Sequence, residues 1–156
     1  MTSARSITRS APSAVLIETV VSSLLTVQTS GAGFVDLTRE VGKFLSEIGA
    51  REGALTLFIR HTSASLTIQE NADPSVLVDL MTTLDRLAPQ DFNWTHDTEG
   101  PDDMPAHVRT MLTATSLHIP VLSGKLALGT WQGIYLIEHR ARPHRREVVL
   151  QFVGAT

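Results

Sequence analysis

The run Ala54-Leu55-Thr56-Leu57-Phe58-Ile59-Arg60-His61 decides the fold, together with Ala64-Ser65-Leu66-Thr67-Ile68-Gln69-Glu70-Asn71, which follows after only Thr62-Ser63. The first run is almost wholly apolar, with β-branched and aromatic members, and reads as a central strand. A period of two puts Leu55, Leu57, Ile59 and His61 on one face. The second run reads as another strand, with Leu66, Ile68 and Glu70 sharing a face. His61 and Glu70 each extend an apolar face at its end. Their side chains are expected at an inward rim, where a carboxylate needs a partner.

Working outward, Leu16 to Thr29 reads as one or two strands, Gly31-Ala32-Gly33 as a turn and Phe34 to Leu37 as a short extended piece. Val41, Phe44, Leu45 and Ile48 form one helical stripe, with Thr38 placed to cap its start and Gly49 to end it. Asp73-Pro74 is a helix start, and Leu77, Leu80, Met81 and Leu84 are its expected buried stripe. Residues 88 to 103 form a long loop, a length that in compact domains is often functional. Met104 to Ser116 reads as a helix capped by Asp102 or Asp103, the other acid being spare for metal or substrate, with Val108, Met111, Leu112 and Thr115 toward the core. Ile119 to Leu122 and Lys125 to Leu128 are short strands around the Ser123-Gly124 turn. Trp131 to Arg140 and Glu147 to Val153 are the last strands, with Gln132, Ile134, Leu136 and Glu138 on one face. Strands and helices interleave irregularly with hairpin-like connections. The fold class expected is α+β, a mixed, largely antiparallel sheet packed with about three helices.

Composition bounds the function. Of 156 residues 42 % are hydrophobic, enough for the core of a single domain over residues 15–156 behind an N-terminal extension over 1–14. A net charge of -3 argues against a general nucleic-acid binder. The absence of cysteine removes disulfides, thiolate metal sites and a thiol nucleophile, and it fits the cytoplasm. Arg5 and Arg9 precede an apolar run from Ala11 to Val27 that loosely resembles a signal peptide, but Pro12, Glu18 and several hydroxyl residues interrupt it. It is too polar to span a membrane.

Two polar islands carry the candidate chemistry: His61 to Pro74, and His96-Asp97-Thr98-Glu99-Gly100-Pro101-Asp102-Asp103-Met104-Pro105-Ala106-His107. His61, His96 and His107 form a candidate metal triad, since neutral imidazoles suit zinc and similar ions and nearby acids complete or orient the shell. His107 lies near a helix N-terminus, whose dipole disfavours a protonated ring. Each histidine taken alone is also accounted for as a partly buried hydrogen-bonding residue. Glu70, Asn71 and Asp73 read as a base, a substrate-orienting amide and a metal acid, with a plain helix cap the other account of Asp73. Arg60, Arg109, Lys125, Arg140, Arg145 and Arg146 supply cations, and Arg109 and Arg145 are the choices for phosphate. A solvated face is the alternative for the cluster from Arg140 to Arg146. No nucleophile elbow, Walker loop or dinucleotide fingerprint is present. Trp131 is expected in the core; Trp94 could line the pocket.

Four runs together resemble the YjbQ-type family, whose members are often named secondary thiamine-phosphate synthases. They are His61 to Thr67, Glu70 to Pro74, Asp102 to His107, and Leu128-Gly129-Thr130-Trp131-Gln132-Gly133-Ile134. The resemblance covers roughly residues 20 to 155. It implies an α+β subunit in a homotrimer with pockets near subunit boundaries, and a weak thiamine-phosphate synthase activity. The family's polar motif positions fall on His61, Glu70, Asn71, Asp73, His96, His107, Thr130, Gln132 and Glu138. The expected function is a small cytoplasmic transferase that uses a divalent metal, zinc or magnesium, on a small phosphorylated metabolite. It would join a pyrimidine methyl diphosphate to a thiazole phosphate and release pyrophosphate. Metal would sit on His61, His96 and His107, with Glu70, Asn71, Gln132 and Glu138 orienting substrate or moving protons. Arg109, Arg145 and Thr130 would hold the phosphorylated substrate. The alternative is a metal- or phosphometabolite-binding trimer, or a metal-dependent hydrolase, without a thiamine role. Neither nucleic acid nor membrane is an expected partner.

Overall fold

Two antiparallel sheets and three helices form the structure, a computed structural model that describes residues 5–156. The elements in order are β1 (Thr19–Gln28), β2 (Gly33–Asp36), α1 (Thr38–Glu47), β3 (Glu52–Ile59), β4 (Ala64–Glu70), α2 (Pro74–Leu87), α3 (Asp103–Leu112), β5 (Ser116–Leu122), β6 (Lys125–Leu126), β7 (Gln132–Glu138) and β8 (Arg145–Ala155). One sheet has the order β1-β8-β3-β5-β6 and the other β2-β7-β4. Every strand pairing is antiparallel. The expected α+β class with three helices holds, with the strands divided between two sheets. Of the expected extension, residues 5–14 are exposed coil and the first four lie outside the described residues.

The division follows from two crossings. The chain leaves β3 at Ile59 in the larger sheet and enters β4 at Ala64 in the smaller one. It returns between Glu138 of β7 and Arg145 of β8. Leu55, Leu57, Ile59, Val148, Leu150 and Phe152 of the larger sheet face Leu66, Ile134 and Leu136 of the smaller one, with Val41, Phe44 and Leu45 of α1 completing the core. The other face of the smaller sheet lies under α2. Phe34, Thr67 and Ile137 of that face share an apolar cleft of about 320 Å³ with Leu80 and Leu84.

Local signals account for most element ends. Gly49 at φ +66° closes α1, with Gly49 N–H donating to Ser46 O and Ala50 N–H to Leu45 O, a Schellman arrangement. Thr38 is not the cap; its hydroxyl accepts from Ile134 N–H at 2.9 Å and ties α1 to β7. Asp73 caps α2 by accepting from Ser75 N–H at 2.9 Å. Of that helix's expected stripe only Leu84 is fully buried. α3 ends earlier than periodicity predicts and turns the other way. Met111 is 86 % exposed, and the buried side carries Asp103, Ala106 and Arg109. The reason is electrostatic: Asp103 and Arg109 are buried against polar partners, Arg140 and His96 for the first and Asp85 and Ala88 O for the second, and these set the helix rotation.

Gly53 and Gly154 pair across β3 and β8 beneath the Phe152 ring. A Cβ on Gly154 would meet Glu52 O at 2.2 Å, backbone that cannot swing aside. Gly154→Ala is therefore expected to lose about 1–3 kcal/mol in urea unfolding. Gly42→Ala, in α1 with nothing within 4 Å of the added methyl, should gain about 0.5–1 kcal/mol.

Candidate functional site

Asp103 opens α3 and is nearly inaccessible, at 2 % exposure. A buried carboxylate needs compensation from hydrogen bonds or opposite charge. Its Oδ1 accepts from the Arg140 guanidinium. Its Oδ2 lies 2.8 Å from His96 Nε2 and 3.2 Å from His107 Nε2. Burial alone would raise the Asp103 pKa, but the His96 hydrogen bond and the Arg140 and His107 charges outweigh it and hold the carboxyl below its ordinary value. One oxygen from Asp103 and one ring nitrogen each from His96 and His107 lie within 4.8 Å of one another.

The tautomer of His107 follows from its other nitrogen. Nδ1 lies 3.0 Å from Thr62 O, an acceptor only, so Nδ1 carries the proton and donates. The ring's Nε2 faces the carboxylate, and what joins them is either a second proton, which makes the ring an imidazolium paired with Asp103, or a metal ion. A backbone carbonyl orienting an imidazole in this way is the usual outer support of a metal-binding histidine. Two imidazoles and one carboxylate with open positions make a donor set suited to zinc and to other transition ions.

Around the cluster runs a second, buried layer. Arg146 grips Glu138 with Nε at 2.7 Å from Oε2 and Nη2 at 2.5 Å from Oε1. Glu138 also accepts from Thr29 Oγ1 and from Arg140 N–H. Burial would raise this carboxyl, but the Arg146 hydrogen bonds and the other donors hold it below the ordinary glutamate range. Arg146 Nη2 continues to Ser63 O and Ser63 Oγ. Arg140 joins the layers, binding Asp102 at 3.1 Å and Glu99 O at 2.9 Å. Nearby, His139 Nε2 lies 2.8 Å from Ser65 Oγ, and Thr113 Oγ1 lies 2.6 Å from the same hydroxyl. His139 Nδ1 and Arg109 Nε are buried with no partner among the described residues. Burial first, and the Arg109 charge second, push the His139 pKa down to about 4.

The residues singled out from sequence fall into two groups. His96 and His107 meet. His61 is not in their cluster: its Nε2 accepts from Glu147 N–H at 2.8 Å, which pins the end of the β3 strand to β8. Burial and the Arg146 charge lower its pKa. Glu138 is fully buried and its oxygens are taken, so it faces no substrate. Arg109 is equally enclosed, held by Ala88 O at 3.0 Å and Asp85 at 2.9 Å, and does not reach an outside phosphate. Arg145 is exposed and pairs with Glu147 at 2.5 Å.

Glu70, Asn71, Thr130 and Gln132 gather at the opposite end of the β4–β7 pair. Register sets Ala64 against Glu138 at one end and Glu70 against Gln132 at the other. Six residues of strand separate these ends by about 20 Å. Asn71 Nδ2 donates to Thr130 O and Gln132 O, and Gln132 Oε1 accepts from Gly129 N–H, so both amides brace the turn. Asp73 is spent on its helix cap. Trp131 is 65 % exposed rather than in the core, and with Glu70 and Gln132 it lines a cleft of about 570 Å³. Asp103 is the acid that stands with the two histidines; from sequence, Asp102 and Asp103 are both candidate caps, one of them spare for a metal or substrate. The N-cap is Asp102, whose side chain makes no cap bond and instead takes Arg140 and Ala141 N–H. The one-turn spacing of Asp103 and His107 on a helix is the signal that points to it.

Comparison with known proteins gives one consistent relationship. The sequence model of a family described as UPF0047 protein YjbQ-like matches residues 23–155. A UPF0047 protein of Synechocystis sp. is 49 % identical over 132 residues, covering 84 % of this chain and 90 % of its own. The UPF0047 protein YjbQ of Escherichia coli O157:H7 is 40 % identical over 131 residues, covering 83 % and 95 %. Among solved structures, a YjbQ/UPF0047 family protein of Clostridium acetobutylicum superposes with a TM-score of 0.77 at 38 % identity, over 83 % of this chain and 98 % of that one. A conserved protein of Thermus thermophilus gives 0.74 at 38 %, over 82 % and 97 %.

His139 gives the site a pH signature. Its pKa is depressed in the folded state, so between the ordinary histidine value and about 4 the unfolded chain binds the extra proton. Stability is therefore expected to fall as pH drops through that window, by on the order of 3 kcal/mol. Urea unfolding of the native chain and of His139→Gln across the window checks this; the variant should lose most of that slope.

Proposed function

The chain belongs to the YjbQ-like UPF0047 family, and from that footing we propose that it is a metal-assisted enzyme acting on a small phosphorylated metabolite. The observation that carries this reading is the convergence of His96 Nε2 and His107 Nε2 on one oxygen of the buried Asp103 carboxylate, with His107 oriented from behind by Thr62 O. The metal ligands are then His96, Asp103 and His107, with Asp103 in the place the sequence reading gave to His61. Two imidazoles favour zinc over magnesium, which prefers an all-oxygen shell.

The finer proposal is the transfer implied by the family resemblance. The bond from a pyrimidine methylene carbon to its diphosphate oxygen breaks. A bond from that carbon to the thiazole nitrogen forms, and pyrophosphate leaves with the bonding pair. A divalent metal supplies charge for the departing pyrophosphate when bound. The protein's own contribution is to hold the site rigid through Arg140, Glu138 and Arg146, and to offer exposed cations to phosphate oxygens. Arg60, 55 % exposed beside Thr62 and Ser63 in a cleft of about 520 Å³, joins Arg145 in that role.

The homotrimer belongs to the same proposal. Its support is the outer face of the larger sheet, where Val20, Leu24, Phe58 and Leu122 are exposed, together with Trp131. In such an assembly Glu70, whose carboxylate has no partner among the described residues, and Trp131 would act from a neighbouring subunit. The enzyme is read as cytoplasmic, in keeping with its lack of cysteine. No helix among the described residues is long and apolar enough to cross a membrane.

Purified chain loaded with zinc or magnesium and given both precursors is expected to form thiamine phosphate, with about one metal per chain. Asp103→Asn and His107→Ala should each lower metal affinity and product formation by at least about tenfold while circular dichroism stays unchanged. No product from the native chain, or equal product from the variants, overturns the thiamine reading. Metal-dependent ester turnover in its place would make the protein a hydrolase. Tight phosphometabolite binding without turnover would make it a binding trimer.

A further inference from the structure

The loop over residues 88–102 has no regular secondary structure, yet it is held firmly. Trp94 Nε1 donates to Pro89 O at 3.0 Å, Trp94 N–H donates to Phe92 O at 2.8 Å, and Arg140 fastens Glu99 O from across the fold. With its indole N–H satisfied locally, Trp94 has a fixed ring and needs nothing further from solvent. Phe92 lies against it, ring centroids 4.4 Å apart and planes tilted by 49°. Phe92 is nonetheless 59 % exposed. A rigid, tilted pair of aromatic rings set on a polar loop offers a face for stacking.

The pair stands in a cleft of about 310 Å³ whose wall includes Gln90, Asn93, Asp97 and His96. His96 is also part of the cluster with Asp103 and His107, so cleft and cluster adjoin. The volume is at the small end of ligand pockets, roughly 300–1,000 Å³, and suits one ring rather than a dinucleotide. The amides of Gln90 and Asn93 and the carboxylate of Asp97 make no hydrogen bonds among the described residues, so the rim is rich in free donors and acceptors. An adjoining cleft of about 440 Å³ shares Gln90, Gly100 and Pro101 and adds Arg140 and Arg142. Arg142 has no ion-pair partner among the described residues.

We propose that the cleft of Phe92, Asn93, Trp94 and His96 is the subsite for the planar nitrogen-containing ring of the phosphorylated metabolite. The ring stacks on Trp94 and Phe92. The amides of Gln90 and Asn93 read its ring nitrogens and amino group, and Arg142 faces its phosphate. This subsite rests on the reading of His96, Asp103 and His107 as a metal centre on which the same molecule is handled.

The chain has two tryptophans, Trp94 and Trp131, so 5-fluorotryptophan labelling gives two ¹⁹F resonances that Trp94→Phe assigns. Titration with an aminopyrimidine-methyl phosphate is expected to shift the Trp94 resonance saturably, whether or not Trp131 of a neighbouring subunit also responds. Inorganic phosphate at the same concentrations should move neither. By calorimetry, Trp94→Ala should bind the ring phosphate at least tenfold more weakly, the loss expected of one stacked ring, with zinc stoichiometry unchanged. An unmoved Trp94 resonance, movement of Trp131 alone, native-like affinity in Trp94→Ala, or no binding at millimolar ring phosphate each overturn the proposal. Zinc binding is read separately, by metal analysis of the native chain. Its failure removes the metal centre while the Trp94 titration of zinc-free protein still judges the ring subsite.

Discussion

The ion pair between Glu138 and Arg146 joins the two sheets where the chain passes between them, and the site is built outward from it. Glu138 ends β7 in the smaller sheet and Arg146 lies in β8 of the larger one. Both are almost without solvent contact. Desolvating such a pair costs free energy that its attraction only partly recovers, and removing one partner alone strands the other charge. The gain is geometric. A two-pronged contact, with Thr29 and Ser63 on its flanks, fixes the separation and angle of the strands that enter and leave the seam.

That fixed seam determines what stands beside it. Ser63 is held by Arg146, so Thr62, the residue before it, presents its carbonyl at a defined place. That carbonyl accepts from His107 Nδ1 and orients its ring. On the returning crossing, Arg140 reaches from Glu138 to Asp102, Asp103 and Glu99, and so sets both the start of α3 and the loop before it. Thus His-Thr-Ser-Ala-Ser, the most polar part of the decisive stretch, acts largely through backbone carbonyls and buried hydroxyls. His61 belongs to this scaffold and His107 to the surface it supports.

Much of the fold was legible because strand alternation and helix punctuation are local. Leu55, Leu57 and Ile59 alternate in the core as read, Asp73-Pro74 begins α2, Gly49 ends α1, and Ser123-Gly124 turns β5 into β6. What alternation leaves open is which apolar residues another layer covers. Met111 and Leu112 have helical spacing and yet are exposed, because α3 turns its charged side inward toward Arg140 and toward Asp85 and Ala88 O. Trp131 looked like core because tryptophan usually is, but it sits at the end of a strand with nothing over it. Of the three histidines, His96 and His107 come together. His61 stands apart because a rim position predicts a buried partner without saying whether that partner is an ion or a backbone N–H. Asp103 could not be told from its neighbour Asp102, because either acid suits a helix start and only the fold shows which one meets the histidines.

The spacing of Asp103 and His107 carries a consequence for how this chain can drift over evolution. An α-helix advances by about 100° per residue, so one residue gained or lost between these two would swing the imidazole off the carboxylate's side. The same change among residues 97 to 101 breaks no helical register and is limited instead by Arg140, which fastens Glu99 O. Insertions and deletions should therefore be purged most strictly between Asp103 and His107.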